Sequence, residues 1–274
     1  MRWLLLIWLL VPHLAFAQVN VEALRSNGTE DGVAGSLGLT TAYTSGNILF
    51  ADFGASATLE WKKNKDSVFF VMNHRFAAKL TQSDRLAEPD VGLWDEEAHF
   101  SNNRLIHLRY NRELSAKLWW ELYSQYEYNE FLLLDRRLLV GTGPRFELVN
   151  TDRFGVWLGT SAMVEEESLN PDGVHSSEAV SRYNVRSSTY ASITIRPSES
   201  VAWVSTGYAQ PRIDDFNDHR LVAESGLTFA IGKGISGTMN VRVRHDSEPP
   251  RTPDEAAEIV GTDVALKNGL KFSF

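Results

Sequence analysis

Seven histidines and several acid-bearing segments supply the side chains that could do acid–base or nucleophilic chemistry. His245-Asp246-Ser247 sets an imidazole, a carboxylate and a hydroxyl side by side. Those groups make a hydrolase only if the hydroxyl meets the imidazole, a third group orients the ring and an oxyanion hole is present. Ser247 runs straight into Glu248-Pro249-Pro250, so the segment reads as a strand end entering a Pro-rich loop. A lipid hydrolase acting there is the remotest of the alternatives. His99 and His107 share one parity but stand too far apart along a strand to hold a metal as a pair. His74 falls among outward apolar positions near mid-strand, where an imidazole is out of place. The chain has no cysteine, Gly-x-Ser-x-Gly, phosphate loop or His-Glu-x-x-His. No catalytic, metal or cofactor site is assigned.

The larger set of chemically active residues is electrostatic. Arg75, Arg109, Arg137, Arg145, Arg182, Arg186, Arg242 and Arg244 fall on the polar parity of alternating segments, with Glu121 and Glu224 among the acids that oppose them. Lys79, Lys117, Arg153, Arg196, Lys267 and Lys271 read the same way, opposed by Asp52, Glu60, Glu127 and Glu147. Carboxylates crowd three long connections: Glu88, Asp90 and Asp95 to Glu97; Glu165 to Glu167 with Asp172; Glu248, Asp254, Glu255 and Glu258. They lack the spacing of a calcium loop and read as solvated surface.

The elements that must position these charges are strands. In Val264 to Phe274, Val264, Leu266, Leu270, Phe272 and Phe274 share one parity, and Lys267, Gly269, Lys271 and Ser273 the other. Val33 to Tyr43 and Leu49 to Trp61 alternate in the same way around the turn Ser45-Gly46-Asn47. About twelve such strands run to Phe274. Turns fall at Lys62–Asp66, Glu113-Leu114, Asn150-Thr151, Pro197–Glu199 and Gly232–Gly234, and long connections at Leu80–Glu96, Glu166–Val180 and Ser247–Ile259. With strands running up and down, every long connection lies on one side. That asymmetry defines an all-β, antiparallel up-and-down transmembrane β-barrel of the outer-membrane type, lipid outside and polar side chains within. Trp61, Phe70, Tyr110, Trp120, Phe146, Phe154, Trp203, Phe229 and Phe274 form one aromatic band, and Tyr43, Phe76, Phe100, Tyr126 and Tyr183 the other. Near residues 200–210 Trp203 and Val204 compete for the outward face.

A charge facing lipid near the midplane costs about 2–4 kcal/mol, so the arginine rows point inward. Two bores satisfy that. One keeps a residual positive potential and passes small anions. In the other, Arg and Glu cross-link opposite walls and fill the interior, which suits a barrel narrower than the sixteen-strand porins.

Residues 1–17 read as a signal peptide for Sec export: Arg2, an apolar core from Trp3 to Val11, and Ala15-Phe16-Ala17 at the cleavage site. That core is too short to span a bilayer as a helix. Residues 18–31 read as a periplasmic lead-in and residues 32–274 as the barrel. Composition is 43% hydrophobic, and the net charge of −8 argues against nucleic acid as a partner.

Tyr43-Thr44-Ser45-Gly46-Asn47, then Asp135 to Gly143, then Val243 to Pro250 with Thr262-Asp263 and the Lys271-Phe272-Ser273-Phe274 ending resemble the domain of unknown function 481 family, which includes salt-induced outer-membrane proteins. Pro144 departs from the small or aliphatic residue expected there. The resemblance covers the mature chain. It implies insertion into the cell outer membrane of a Gram-negative bacterium, with Phe272 and Phe274 in the signal read by the barrel assembly machinery. It implies no catalytic residue. The expected partners are outer-membrane lipid and lipopolysaccharide; no oligomeric state follows. The resulting expectation is a non-enzymatic envelope protein linked to salt or osmotic stress, with a narrow anion-biased pore as the first alternative.

Overall fold

The computed structural model describes residues 31–274 apart from 46–47, 82–85, 88–89, 93–94, 96–97 and 254–258. The signal peptide, most of the lead-in, Gly46-Asn47 and the acidic residues Glu88, Glu96, Glu97, Asp254, Glu255 and Glu258 therefore lie outside the described residues.

Twelve strands appear among the described residues: β1 Gly32–Thr44, β2 Ile48–Lys63, β3 Asp66–Thr81, β4 His99–Ser115, β5 Leu118–Asn129, β6 Leu134–Asn150, β7 Phe154–Leu169, β8 Ser181–Ser198, β9 Val201–Pro211, β10 His219–Gly232, β11 Ile235–Asp246 and β12 Thr262–Ser273. Each pairs antiparallel with its chain neighbours, and β12 pairs with β1 to close the barrel. At that seam Leu37 faces Phe272 and Leu39 faces Leu270. Gly35 and Phe274 then exchange both backbone bonds, at 3.0 and 3.1 Å. Closure leaves no free sheet edge, which is the condition for a sheet to lie in hydrocarbon.

Alternation decides the two faces. Along β6 Arg137, Leu139, Gly141, Gly143 and Arg145 are buried, whereas Leu138, Val140 and Phe146 are exposed. The same holds on β12, where Val264, Leu266, Leu270 and Phe272 are exposed and Ala265 is buried. On β9 Trp203 is exposed and Val204 buried, so Trp203 wins the outward face; its indole N–H donates to Ser225 Oγ at 2.7 Å. Trp61, Trp120, Phe146, Phe154 and Phe229 lie outward near the end that carries the termini, and Tyr43 and Tyr183 outward at the opposite end. Connections at the terminal end are tight (64–65, 116–117, 151–153, 199–200 and 233–234). At the other end those spanning 82–98, 170–180 and 247–261 are long.

Several boundaries differ from the sequence reading. The turn expected at Glu113-Leu114 lies at 116–117, because a bulge between Glu113 and Ser115 carries β4 onward. Lys117 therefore sits in a turn, and Arg153 precedes β7; neither lines a wall. The loop expected from Glu166 begins only after Leu169, whose side chain is buried with Leu132, Leu134 and Val174. That apolar anchor, together with partners for Glu165 and Glu167, lets the acidic run stay in the wall.

The chain has no native cysteine, so the seam can be tested without background. Oxidation of the double variant Leu37→Cys/Phe272→Cys is expected to give one intramolecular disulfide, seen as a gel mobility shift reversed by reductant. Only intermolecular disulfides would contradict the closed register.

Candidate functional site

The charged residues meet in the bore in two storeys. The storey nearer the termini centres on Glu121 of β5. Arg109 of β4 donates to it at 3.4 Å, and the hydroxyl of Tyr190 on β8 donates at 2.9 Å. Strands β6 and β7 lie between β5 and β8 in the sheet, so the Tyr190 bond is a chord across the bore. Tyr190 reaches it by lying over Gly159 of β7, where a side chain would collide with its ring. Arg145 sits 3.8 Å from Glu121 and over the ring of Trp157 at 3.5 Å, while Trp119 meets Trp157 edge to face. Arg109 also lies over Tyr123, on which buried His107 stacks.

The upper storey is a continuous ionic chain. Arg137 of β6 joins Glu127 of β5 at 3.1 Å and Glu167 of β7 at 2.6 Å. Arg220 of β10 joins Glu167 at 2.8 Å, Glu165 at 2.9 Å and Asp246 of β11 at 3.1 Å. Arg186 of β8 bridges Glu165 at 2.8 Å to Asp218 at 2.7 Å, and Arg244 meets Asp246 at 2.9 Å. The Arg220 bonds to β7 are again chords, since β8 and β9 intervene. Buried charges are tolerated where each has opposite partners and hydrogen bonds, and here most have two or three.

The remaining candidates sit at the margins. Arg75 pairs with Asp52, both partly exposed, and buried Arg242 pairs with partly exposed Glu224 at 3.0 Å. Arg182 reaches Glu178 of the outer loop at 2.6 Å. In the loop before β10 the Arg212 guanidinium, 2.7 Å from Asp214, holds that carboxyl below its usual range through their hydrogen bond. Phe272 and Phe274 are outward and exposed. Residues at 165–167 are not solvated loop carboxylates, as the sequence reading had them: Glu165 and Glu167 are buried ion-pair partners, and Glu166 alone points outward to Arg136. Arg220, Asp218 and Tyr190 were not singled out from sequence, and Asp246 was singled out only as the middle of the His245-Asp246-Ser247 run. Arg220 was legible, because it shares parity with Val222 and Glu224.

The hydrolase arrangement does not assemble. Asp246 points into the bore at Arg220, whereas the outward His245 bonds Thr262 through Nδ1 at 2.8 Å. Ser247 instead accepts the backbone N–H of His219 at 2.8 Å. Alternation sends neighbours in a strand to opposite faces, so three consecutive residues cannot converge. Among the described residues no group of three ligating side chains could hold a metal ion; the side chain of His99 lies outside them.

An apolar exterior, aromatic rows at both rims and a bore packed with paired charges define a transmembrane β-barrel of the outer-membrane type. The chain belongs to the family described as protein of unknown function DUF481, which matches residues 37–274. No curated protein matches it. Among solved structures the NanC porin is 6% identical with a TM-score of 0.49, covering 87% of this chain and 98% of its own. An outer membrane channel from Pseudomonas putida F1 is 9% identical at 0.45, covering 91% and 98%. The KdgM porin is 8% identical at 0.42, covering 89% and 99%. What those names say of transport belongs to those proteins.

Arg220→Met leaves Glu165, Glu167 and Asp246 short of a shared cation, and about 3–5 kcal/mol of stability should be lost. Arg136→Met breaks a half-exposed pair and should cost about 0–1 kcal/mol. Urea unfolding of the two variants side by side checks the ranking; equal losses would deny the upper storey its structural role.

Proposed function

We propose that this chain is a closed, non-conducting, non-enzymatic barrel of the Gram-negative cell outer membrane. On this reading it is exported through the Sec pathway and inserted by the barrel assembly machinery, with Phe272 and Phe274 in the recognised ending. Lipid and lipopolysaccharide surround its apolar wall. One observation carries the reading: bonds such as Tyr190 to Glu121 and Arg220 to Glu167 cross the bore and occupy the space a solute would need. The bore also holds little net charge, since the buried arginines are nearly matched by Glu121, Glu127, Glu165, Glu167, Asp218 and Asp246. That balance counts against anion selection. The separation of His245, Asp246 and Ser247 counts against a lipid hydrolase.

A part in salt or osmotic stress follows from the family resemblance, and the physics of the bore suits it. Buried pairs are screened by dissolved salt far less than surface pairs, so the wall keeps its internal cross-links as external salt rises.

A second reading has one observation in its favour. Strands β1 and β2 face the bore with Ser36, Gly38, Thr40, Ser56 and Thr58, β12 adds Lys267 and Lys271, and the Arg75–Asp52 pair beside them is 11% and 15% exposed. A narrow anion-biased passage would follow that wall.

Planar-bilayer recording of the purified protein separates the two. The closed barrel gives no discrete current steps. Steps whose reversal potential shifts toward the anion in a salt gradient would establish the passage instead.

A further inference from the structure

The apolar outer wall carries a pair of basic residues that its oiliness does not explain. His74 on β3 and Arg104 on β4 are direct partners across the sheet, and both are exposed on the outward parity. Basic side chains set opposite each other gain nothing from one another, and a guanidinium facing lipid is costly without a counter-charge. Among the described residues no carboxylate forms an ion pair with Arg104. Its guanidinium instead lies over the ring of Tyr128 on β5, 5.6 Å from the centroid. Arg136, outward on β6, shows the alternative, since it is neutralised by Glu166 at 2.6 Å.

The neighbours of Arg104 are arranged rather than scattered. His74 Nε2–H donates to Asn102 Oδ1 at 3.2 Å, which orients the ring and engages the amide oxygen of Asn102 rather than its N–H groups. Asn102 and Arg104 are two residues apart on β4 and so share that face. Toward the termini the patch gives way to Met72 and Ile106, both exposed. Tyr126 and Tyr128 place it level with the aromatic row at the end bearing the long loops.

We infer that His74, Asn102, Arg104 and Tyr128 form a site on the outer wall for a phosphate of an anionic outer-leaflet glycolipid. This rests on the outer-membrane reading above and names the side chains that would meet lipopolysaccharide. The guanidinium supplies two parallel N–H donors matched to phosphate oxygens, and Tyr128 holds its plane by cation–π contact. The Asn102 amide, held by His74 through its oxygen, supplies further donors, and the phosphate provides the counter-charge for Arg104. Met72 and Ile106 offer the apolar surface along which the attached acyl chains run. Charge complementarity selects a phosphorylated lipid over a neutral one, and the apolar flank selects a lipid over free phosphate.

The test uses the purified protein in phosphatidylcholine vesicles, alone, with diphosphoryl lipid A, or with lipid A stripped of its phosphates. A further arm adds inorganic phosphate to the buffer. Co-flotation with the vesicles is scored first; a protein that stays in the aqueous phase removes the outer-membrane reading and this site with it. In the inserted protein, diphosphoryl lipid A should be retained in native mass spectra and raise the unfolding temperature, and the stripped lipid and inorganic phosphate should do neither. Arg104→Gln should weaken retention about tenfold, the loss of one charge-assisted contact. Arg104→Lys keeps the charge but not the fork and should fall between. Arg112→Gln, on the same strand and parity at the opposite end, should bind as wild type. Equal retention of stripped lipid A, unchanged retention by Arg104→Gln, equal action of inorganic phosphate, or a dimer in place of lipid adducts would each overturn the site.

Discussion

Everything in this molecule follows from the requirement that a sheet in hydrocarbon leave no backbone N–H or C=O unpaired. Closing β12 onto β1 meets it, and closure has a consequence for every side chain. With the sheet bent into a cylinder, one parity faces lipid and the other faces the bore. The charges of this sequence are thereby committed to the inside, and once inside they must find one another. The ionic chain from Glu127 through Arg137, Glu167 and Arg220 to Asp246 is how they do so.

Packing and electrostatics divide the bore between them. Near the termini, bulky rings do the filling, with Tyr190 lodged over Gly159 and Trp119 against Trp157, and Glu121 is the acceptor that ties them to Arg109. Toward the outer end, guanidinium–carboxylate forks take over, and Leu132, Leu134, Leu169 and Val174 cover the ends of β6 and β7. Strands β1 and β2 put small residues such as Ser36, Gly38, Ser56 and Thr58 on the same face as Asp52 and Glu60, and β12 adds Lys267 and Lys271.

The fold was legible because a period of two survives any uncertainty in strand ends. Leu37, Leu39, Leu138, Val140 and Leu270 needed only parity to be placed outside. Even His74 was read correctly as outward, though its reason lay in Arg104 and Asn102, which the sequence does not mark as its neighbours. The bore was harder. Parity shows that Glu121 and Tyr190 point inward but not that they touch, because 69 residues and two intervening strands separate them. Glu165 and Glu167 were misread for a related reason. An acidic run beside a glycine- and proline-bearing loop looks solvated until the arginines that neutralise it, on β8 and β10, are folded against it.

The most direct measurement of the inside–outside division is a nitroxide scan along β6 in bilayers, reading collisions with oxygen in the lipid and with a water-soluble nickel chelate. Labels at 138 and 140 should be oxygen-accessible and shielded from the chelate, whereas the label at 139 should be poorly reached by both. Equal accessibility at the three positions, or a chelate-accessible 138 and 140, would contradict an oily wall around a charged and filled bore.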